Sequence, residues 1–271
     1  MKISLGLKAS STSEQVTNRL AYHPDVFEFF TSEYDFTTAG NKRLIEAIKE
    51  VKQVTPRIIL HHPMRWQDQF TELVAPQKQC RELYHFVEES SQKLLEIGFT
   101  YDVDVLIHGS YSRQTADYIA LYPSFEYARF AVFERIAHFQ ELGKDHVMFE
   151  NSISDLFYYG DAKEEADILA LGCRLAFDTS HCFIKCHGQS DQLLASLANL
   201  KKNIVHYHLV DSYGQTHDSL TLGQGNIPWK EVLPLLNPTA SSIYEINLAN
   251  QNDAKEQIAS HKYLTSLVAS L

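Results

Sequence analysis

Phe177-Asp178-Thr179-Ser180-His181-Cys182, then His206-Tyr207-His208-Leu209-Val210-Asp211-Ser212, then His217-Asp218 and Leu222-Gly223-Gln224-Gly225-Asn226-Ile227-Pro228-Trp229 crowd into one stretch of the chain. Asp178 closes a short apolar run of Leu175, Ala176 and Phe177, and His181 follows three residues later. A strand that ends on Asp and turns sets the next His beside it. A carboxylate and a neutral imidazole aimed at one point form a divalent metal site, with O and N ligands suited to Zn, Mn, Co or Fe. A capping Asp next to a surface His is the plainer alternative, and ligands at other strand ends decide between them.

Outward from that stretch, short β-rich runs recur along the chain: Lys2–Lys8, Val26–Phe30, Arg57–His61, Val103–His108, Val147–Glu150, Arg174–Asp178, Ile204–Leu209 and Ile243–Ile246. Helix-length segments with apolar residues at three- and four-residue spacing lie between them. Examples are Thr38–Val51, Glu82–Ile97, a long aromatic-rich run Ser112–Leu142, Leu193–Leu200, Trp229–Leu236 and Ala254–Leu271. Strand and helix alternating eight times predicts an α/β (β/α)8 TIM barrel formed by residues 1–271 as one domain. No Gly-x-Gly-x-x-Gly follows the first strand, so an open dinucleotide-binding sheet has little support.

The last six strands end on His61, His108, Glu150, Asp178, His208 and Glu245, and the seventh connection adds His217. In a barrel the C-terminal strand ends ring one pocket, and that pocket is the active site. Alternation sets the aim. With Asp178 inward, Phe177 and Leu175 face the helices; with Glu245 inward, Tyr244 faces out and Ile243 fills the barrel. His206 shares the parity of His208 and lines the barrel below it. A lone strand His is ordinarily a satisfied core group. Six such residues at one face, three carboxylates among them, call for a cation. Arg65, Trp66, Tyr111 and Arg113 follow two of these strand ends and are candidates to line a substrate pocket, an Arg holding a phosphate or carboxylate.

These residues resemble the xylose isomerase-like barrel superfamily, which holds sugar isomerases and epimerases together with the endonuclease IV enzymes. Phe-Asp178-Thr-Ser-His181 is similar to the family's Asp-Thr-x-His element, His208-Leu-Val-Asp211 to its His-Leu-x-Asp element, and Leu222-Gly-Gln-Gly to its Leu-Gly-Glu-Gly turn. The resemblance implies a metal set of Glu150, Asp178, His208 and Glu245, with His181 contacting substrate. It implies an isomerase or epimerase of a small sugar, sugar acid or sugar phosphate, in which Glu150, Glu245 and His181 are catalytic and proton transfer passes through an enediolate. The metal is Zn, Mn, Co or Mg. His61, His108, His181, Arg65, Trp66 and Arg113 are the expected substrate contacts.

The endonuclease IV branch, with three zinc ions, is the alternative: a phosphodiesterase acting on abasic DNA or another phosphoester. His61, His108 and His181 match its extra ligands. Its Asp-x-His pair does not match, because His217 and Ser219 stand there. Glu150 would bridge two ions in that reading.

Composition sets the remaining expectations. The net charge of −10 and the lack of basic runs argue against a nucleic-acid partner. The N-terminus lacks the apolar run of a signal peptide, and no stretch is long enough to span a membrane. Cys80, Cys173, Cys182 and Cys186 show no paired spacing, so reduced thiols in a cytoplasm are expected. Cys182, Cys186 and His187 read as residues of the helix after Asp178 rather than a zinc knuckle. A carbohydrate substrate and a homo-oligomer complete the picture.

Overall fold

The computed structural model describes residues 3–111 and 114–269. Eight parallel strands form one sheet: β1 Gly6–Ala9, β2 Val26–Phe30, β3 Arg57–His61, β4 Asp104–His108, β5 Val147–Glu150, β6 Leu175–Asp178, β7 Ile204–His208 and β8 Ser241–Ile243. They pair in chain order. Helices fill the connections, among them Thr38–Val51, Arg81–Tyr101, Phe125–Gly143 and Lys255–Val268. This is the TIM barrel read from the sequence. A two-stranded hairpin, Arg65–Trp66 with Gln69–Phe70, stands outside the barrel just after β3.

The seam between β8 and β1 closes by contact. A Cβ added at Gly6 would lie 1.8 Å from the Ser242 carbonyl oxygen, so only glycine lets the two backbones touch. Just above, the Gln257 amide donates to the carbonyls of Lys8 (3.3 Å) and Tyr244 (3.0 Å), replacing ladder bonds with one side chain. That arrangement moves the last strand. It spans Ser241–Ile243 rather than Ile243–Ile246, because the Tyr244 carbonyl is already taken and its hydroxyl bonds His261.

Two other expectations change. The long segment Ser112–Leu142 is two helices, Thr115–Ile119 and Phe125–Gly143, broken around Pro123, which cannot continue a helix. Trp229–Leu236 is one helical turn followed by a 3-10 turn containing Pro234. Cys182 and Cys186 are buried on and just past the helix Thr179–Lys185, with their sulfurs 4.0 Å apart.

Side-chain alternation divides the interior. Val26, Ile59, Leu106, Met148, Ala176 and Ile243 plug the barrel. Leu175, Phe177, Tyr207 and Tyr244 point outward into the larger core under the helices. Between β6 and β7 the register shifts by one residue, so that Ala176 pairs with His206 and Asp178 with His208. Both histidines face inward, His208 level with the end of β6 and His206 two residues below it.

Candidate metal centre and cavity

Glu150 is the hub. Its side chain is fully buried at the end of β5, enclosed by four imidazoles. On one oxygen lie His208 Nδ1 at 3.0 Å and His181 Nδ1 at 3.8 Å; on the other, His108 Nε2 at 3.1 Å and His61 Nε2 at 3.6 Å. Glu245 reaches the same place from beyond β8, 2.5 Å from His208 Nδ1. Ligand-competent atoms of His61, Glu150, His208 and Glu245 form one group, and those of Glu150, Asp178 and His181 a second that shares Glu150.

His61 and His208 each turn one ring edge away from the centre onto an acceptor, which fixes the tautomer, whereas His108 Nδ1 is buried without a partner. His61 Nδ1–H donates to the His62 carbonyl at 2.8 Å, leaving Nε2 with a lone pair toward Glu150. His208 Nε2–H donates to Glu28 at 2.9 Å, leaving Nδ1 with a lone pair toward Glu150 and Glu245. His181 Nδ1–H donates to the Asn151 carbonyl at 2.9 Å, and its Nε2 lies 2.9 Å from His217 Nε2. Lone pairs facing carboxylates repel unless a cation or proton lies between them. Accordingly, both Glu150 oxygens, His61 Nε2 and His208 Nδ1 are buried atoms without a hydrogen bond of sound geometry. Imidazoles whose backs are held by carbonyls or a carboxylate are the usual surroundings of a metal. The donor set fits a divalent ion of the Zn, Mn or Co kind.

Asp178 sits at the junction of β6 and the helix that follows it. One of its oxygens caps the helix Thr179–Lys185, accepting from the His181 N–H at 2.7 Å and the Ser180 hydroxyl at 2.8 Å. The capping alternative is therefore true of Asp178, and it is compatible with the place of Asp178 in a ligand-competent group with Glu150 and His181.

Two residues that the sequence reading passed over complete the floor. Glu28 on β2, fully buried, accepts from His206 (3.0 Å) and His208 (2.9 Å) on one oxygen, and its other oxygen lies 2.9 Å from the Lys8 ammonium. Lys8 on β1 also pairs with Glu245. Burial opposes charge on Glu28, but His208, Lys8 and the two histidine donors hold its carboxyl well below the usual range. Burial likewise opposes charge on His208, yet the three glutamates around it raise its pKa well above that of a free histidine, so that with no cation at the centre a proton occupies the Nδ1 lone pair. His206 goes the other way, because burial dominates.

Above this floor opens a cavity of about 950 Å³. Lys8, Glu245, His61, His108, His181 and His217 line its base, and Arg65, Phe70 and Tyr111 line its wall. Trp66 does not line it. Alternation in the hairpin turns Trp66 away from Arg65, and its ring stacks on Phe86 at 5.4 Å. Arg113 lies outside the described residues. Gln224 is exposed on a turn that Asp211 organises by accepting from the N–H groups of Gly223 and Ile227 and from the Trp229 indole. That turn is structural.

Tyr111 is held in the wall by Glu72, a buried carboxyl that accepts from the Tyr111 N–H and from the hydroxyls of Ser110 and Thr115. Burial pushes the Glu72 carboxyl from 4.5 up to about 7, against the pull of these donors. The folded protein thus holds this proton more tightly than the unfolded chain. The contribution of Glu72 to stability falls as pH rises from 4.5 to about 7 and is flat above. Glu72→Gln cannot ionise, so between pH 5 and 8 it should gain on the parent by up to about 3 kcal/mol. Urea unfolding at the two pH values measures this, and a parent–variant difference independent of pH would refute it.

Residues 166–266 match the family model described as xylose isomerase-like TIM barrel. No curated protein matches the sequence. Solved structures match over nearly the whole chain. A D-tagatose 3-epimerase-like protein is 18% identical, with a TM-score of 0.72 over 98% of this chain and 97% of its own. The D-psicose 3-epimerase of Clostridium cellulolyticum H10, solved with D-tagatose, is 13% identical, with a TM-score of 0.66 over 98% and 97%. The TTHB071 protein of Thermus thermophilus, soaked with ZnCl2, is 17% identical, with a TM-score of 0.65 over 100% and 99%. At such identities the likeness speaks for the fold. The chain thus has a TIM-barrel fold, and its residues 166–266 are similar to the xylose isomerase-like family.

Proposed function

We propose that the protein is a divalent-metal-dependent isomerase or epimerase of a small polyhydroxy carbonyl compound. One observation carries the reading: two glutamates, Glu150 and Glu245, converge on the lone pair of His208 from different strands at the base of an open cavity. A divalent ion held by Glu150, Asp178, His208 and Glu245 would supply a Lewis acid for a substrate carbonyl, Asp178 and the His208–Glu245 pair meeting at their shared neighbour Glu150. Glu245, with a side chain one-third exposed, faces the cavity and takes the substrate proton. Glu150 is the second carboxylate, approaching from below. His181, its Nδ1–H fixed by Asn151, presents Nε2 to the substrate side with His217. Against its burial, His208 and then Lys8 keep Glu245 ionised by pairing with it. The sugar-epimerase neighbours, though distant, are consistent with a carbohydrate substrate.

A second reading rests on His61 and His108, which a one-metal isomerase does not need. They lie against the oxygen of Glu150 remote from His208, so this carboxylate has a histidine site on each side. Two ions bridged by Glu150 would suit phosphoester hydrolysis. Ser219, standing where the nuclease pattern has a histidine ligand, opposes it.

Two assays on metal-reconstituted protein separate the readings, with ions counted per chain. Solvent deuterium is expected to enter at least one sugar of a panel of ketoses, sugar acids and their phosphates, and an abasic-site duplex is expected to remain intact. Efficient nicking, lost in Glu150→Gln, with no deuterium entering any sugar, would give the answer to the hydrolase.

A further inference from the structure

The cavity is larger than its reactive floor, and its wall carries a charge that the chemistry above does not use. Arg65 sits on the hairpin after β3, and no carboxylate pairs with it among the described residues. Its guanidinium lies 4.6 Å over the Phe70 ring, which fixes its plane while leaving the N–H edge free. The hairpin is itself tied down. The Thr71 N–H donates to the Met64 carbonyl at 3.1 Å, and the Phe70 N–H to the Gln114 side chain at 2.7 Å. Ring contacts then run from the rim to the floor: Phe70 to Tyr111 at 5.5 Å, and Tyr111 to His108 at 4.5 Å.

The charges are arranged in two levels. Lys8 at the floor is bound to Glu28 and Glu245. Asp178, Glu150 and Glu245 crowd the floor with negative charge, which repels an anionic end of any substrate. At the wall the sign reverses at Arg65, on a chain whose net charge is −10. We infer that Arg65 is an anion-binding corner, and that the substrate carries a carboxylate or phosphate at the end remote from the metal ligands. As a statement about substrate class this rests on the isomerase reading; as a binding site it stands alone. A planar guanidinium with a free edge suits either group, held through two parallel N–H···O bonds.

Calorimetric titration of metal-loaded protein with inorganic phosphate and with a six-carbon aldonic acid tests the corner directly. Binding to the parent should weaken about ten- to a hundredfold in Arg65→Met, with Arg65→Lys between, the range expected for loss of hydrogen bonds to a charged group. The tighter of the two anions names the class, sugar phosphate or sugar acid. In parallel, deuterium entry is followed for a neutral sugar and its acid and phosphate. The parent should favour one charged member, and Arg65→Met should abolish that preference. Equal anion affinity in parent and Arg65→Met overturns the corner even where a neutral sugar is turned over. Arg65-dependent anion binding without turnover of any sugar leaves the corner standing and removes the isomerase reading instead.

Discussion

Glu245→Gln is expected to lower kcat for the exchanged sugar by about 10²–10⁴-fold, the contribution of one positioned proton-transfer group. The amide keeps the shape of the side chain and an oxygen for the metal, but it has no basic site at neutral pH. Because Glu245 is the carboxylate that opens onto the cavity, the loss should fall on kcat rather than on KM. Removal of its charge also leaves Lys8 paired with Glu28 alone. Bound metal must therefore be measured in the same samples, by chelator competition. A variant that holds metal yet exchanges deuterium at the parental rate would remove Glu245 from proton transfer.

Which parts of this centre are legible in the sequence follows from the two-residue period of a strand. Glu150, Asp178 and His208 occupy final strand positions, and a polar residue ending an apolar run in an alternating series announces its direction. Glu245 obeys the same rule although it lies past its strand, since Ile-Tyr-Glu-Ile looks like strand whether or not it is paired. Glu28 is hidden for the opposite reason. It sits mid-strand in Val26-Phe-Glu-Phe-Phe30, away from the strand ends where ligands stand out. A carboxylate flanked by two phenylalanines is nonetheless a signal, since such a group is buried only with partners. Lys8 lies near the end of the first strand but is no metal ligand, so ligand type does not pick it out. Trp66 departs from the expected pocket because adjacency to Arg65 does not confer shared direction: a strand sends neighbours to opposite faces. The break at Pro123 is written in the sequence, but the aromatic run on either side masks it.

Glu28→Gln should cost the protein metal without touching a ligand. Both buried histidines donate to one Glu28 oxygen while the other faces the Lys8 ammonium, so the position needs acceptors on both sides. A glutamine offers an acceptor on one side only. Either its NH2 confronts Lys8, or it confronts the N–H groups of His206 and His208. In the second orientation His208 loses the bond that fixes Nε2–H, and with it the guarantee that Nδ1 meets the metal as a lone pair. Changes to such supporting partners typically lower metal affinity about 10–100-fold, and that range is expected here. Folding should suffer as well, by up to about 3–5 kcal/mol, because a buried ammonium loses one of its two carboxylates. The two effects separate by measuring metal affinity at a temperature where the variant is fully folded. Parental metal affinity together with a lowered Tm would mean that Glu28 serves only the ion pair with Lys8, and that His208 is held in its tautomer by other contacts.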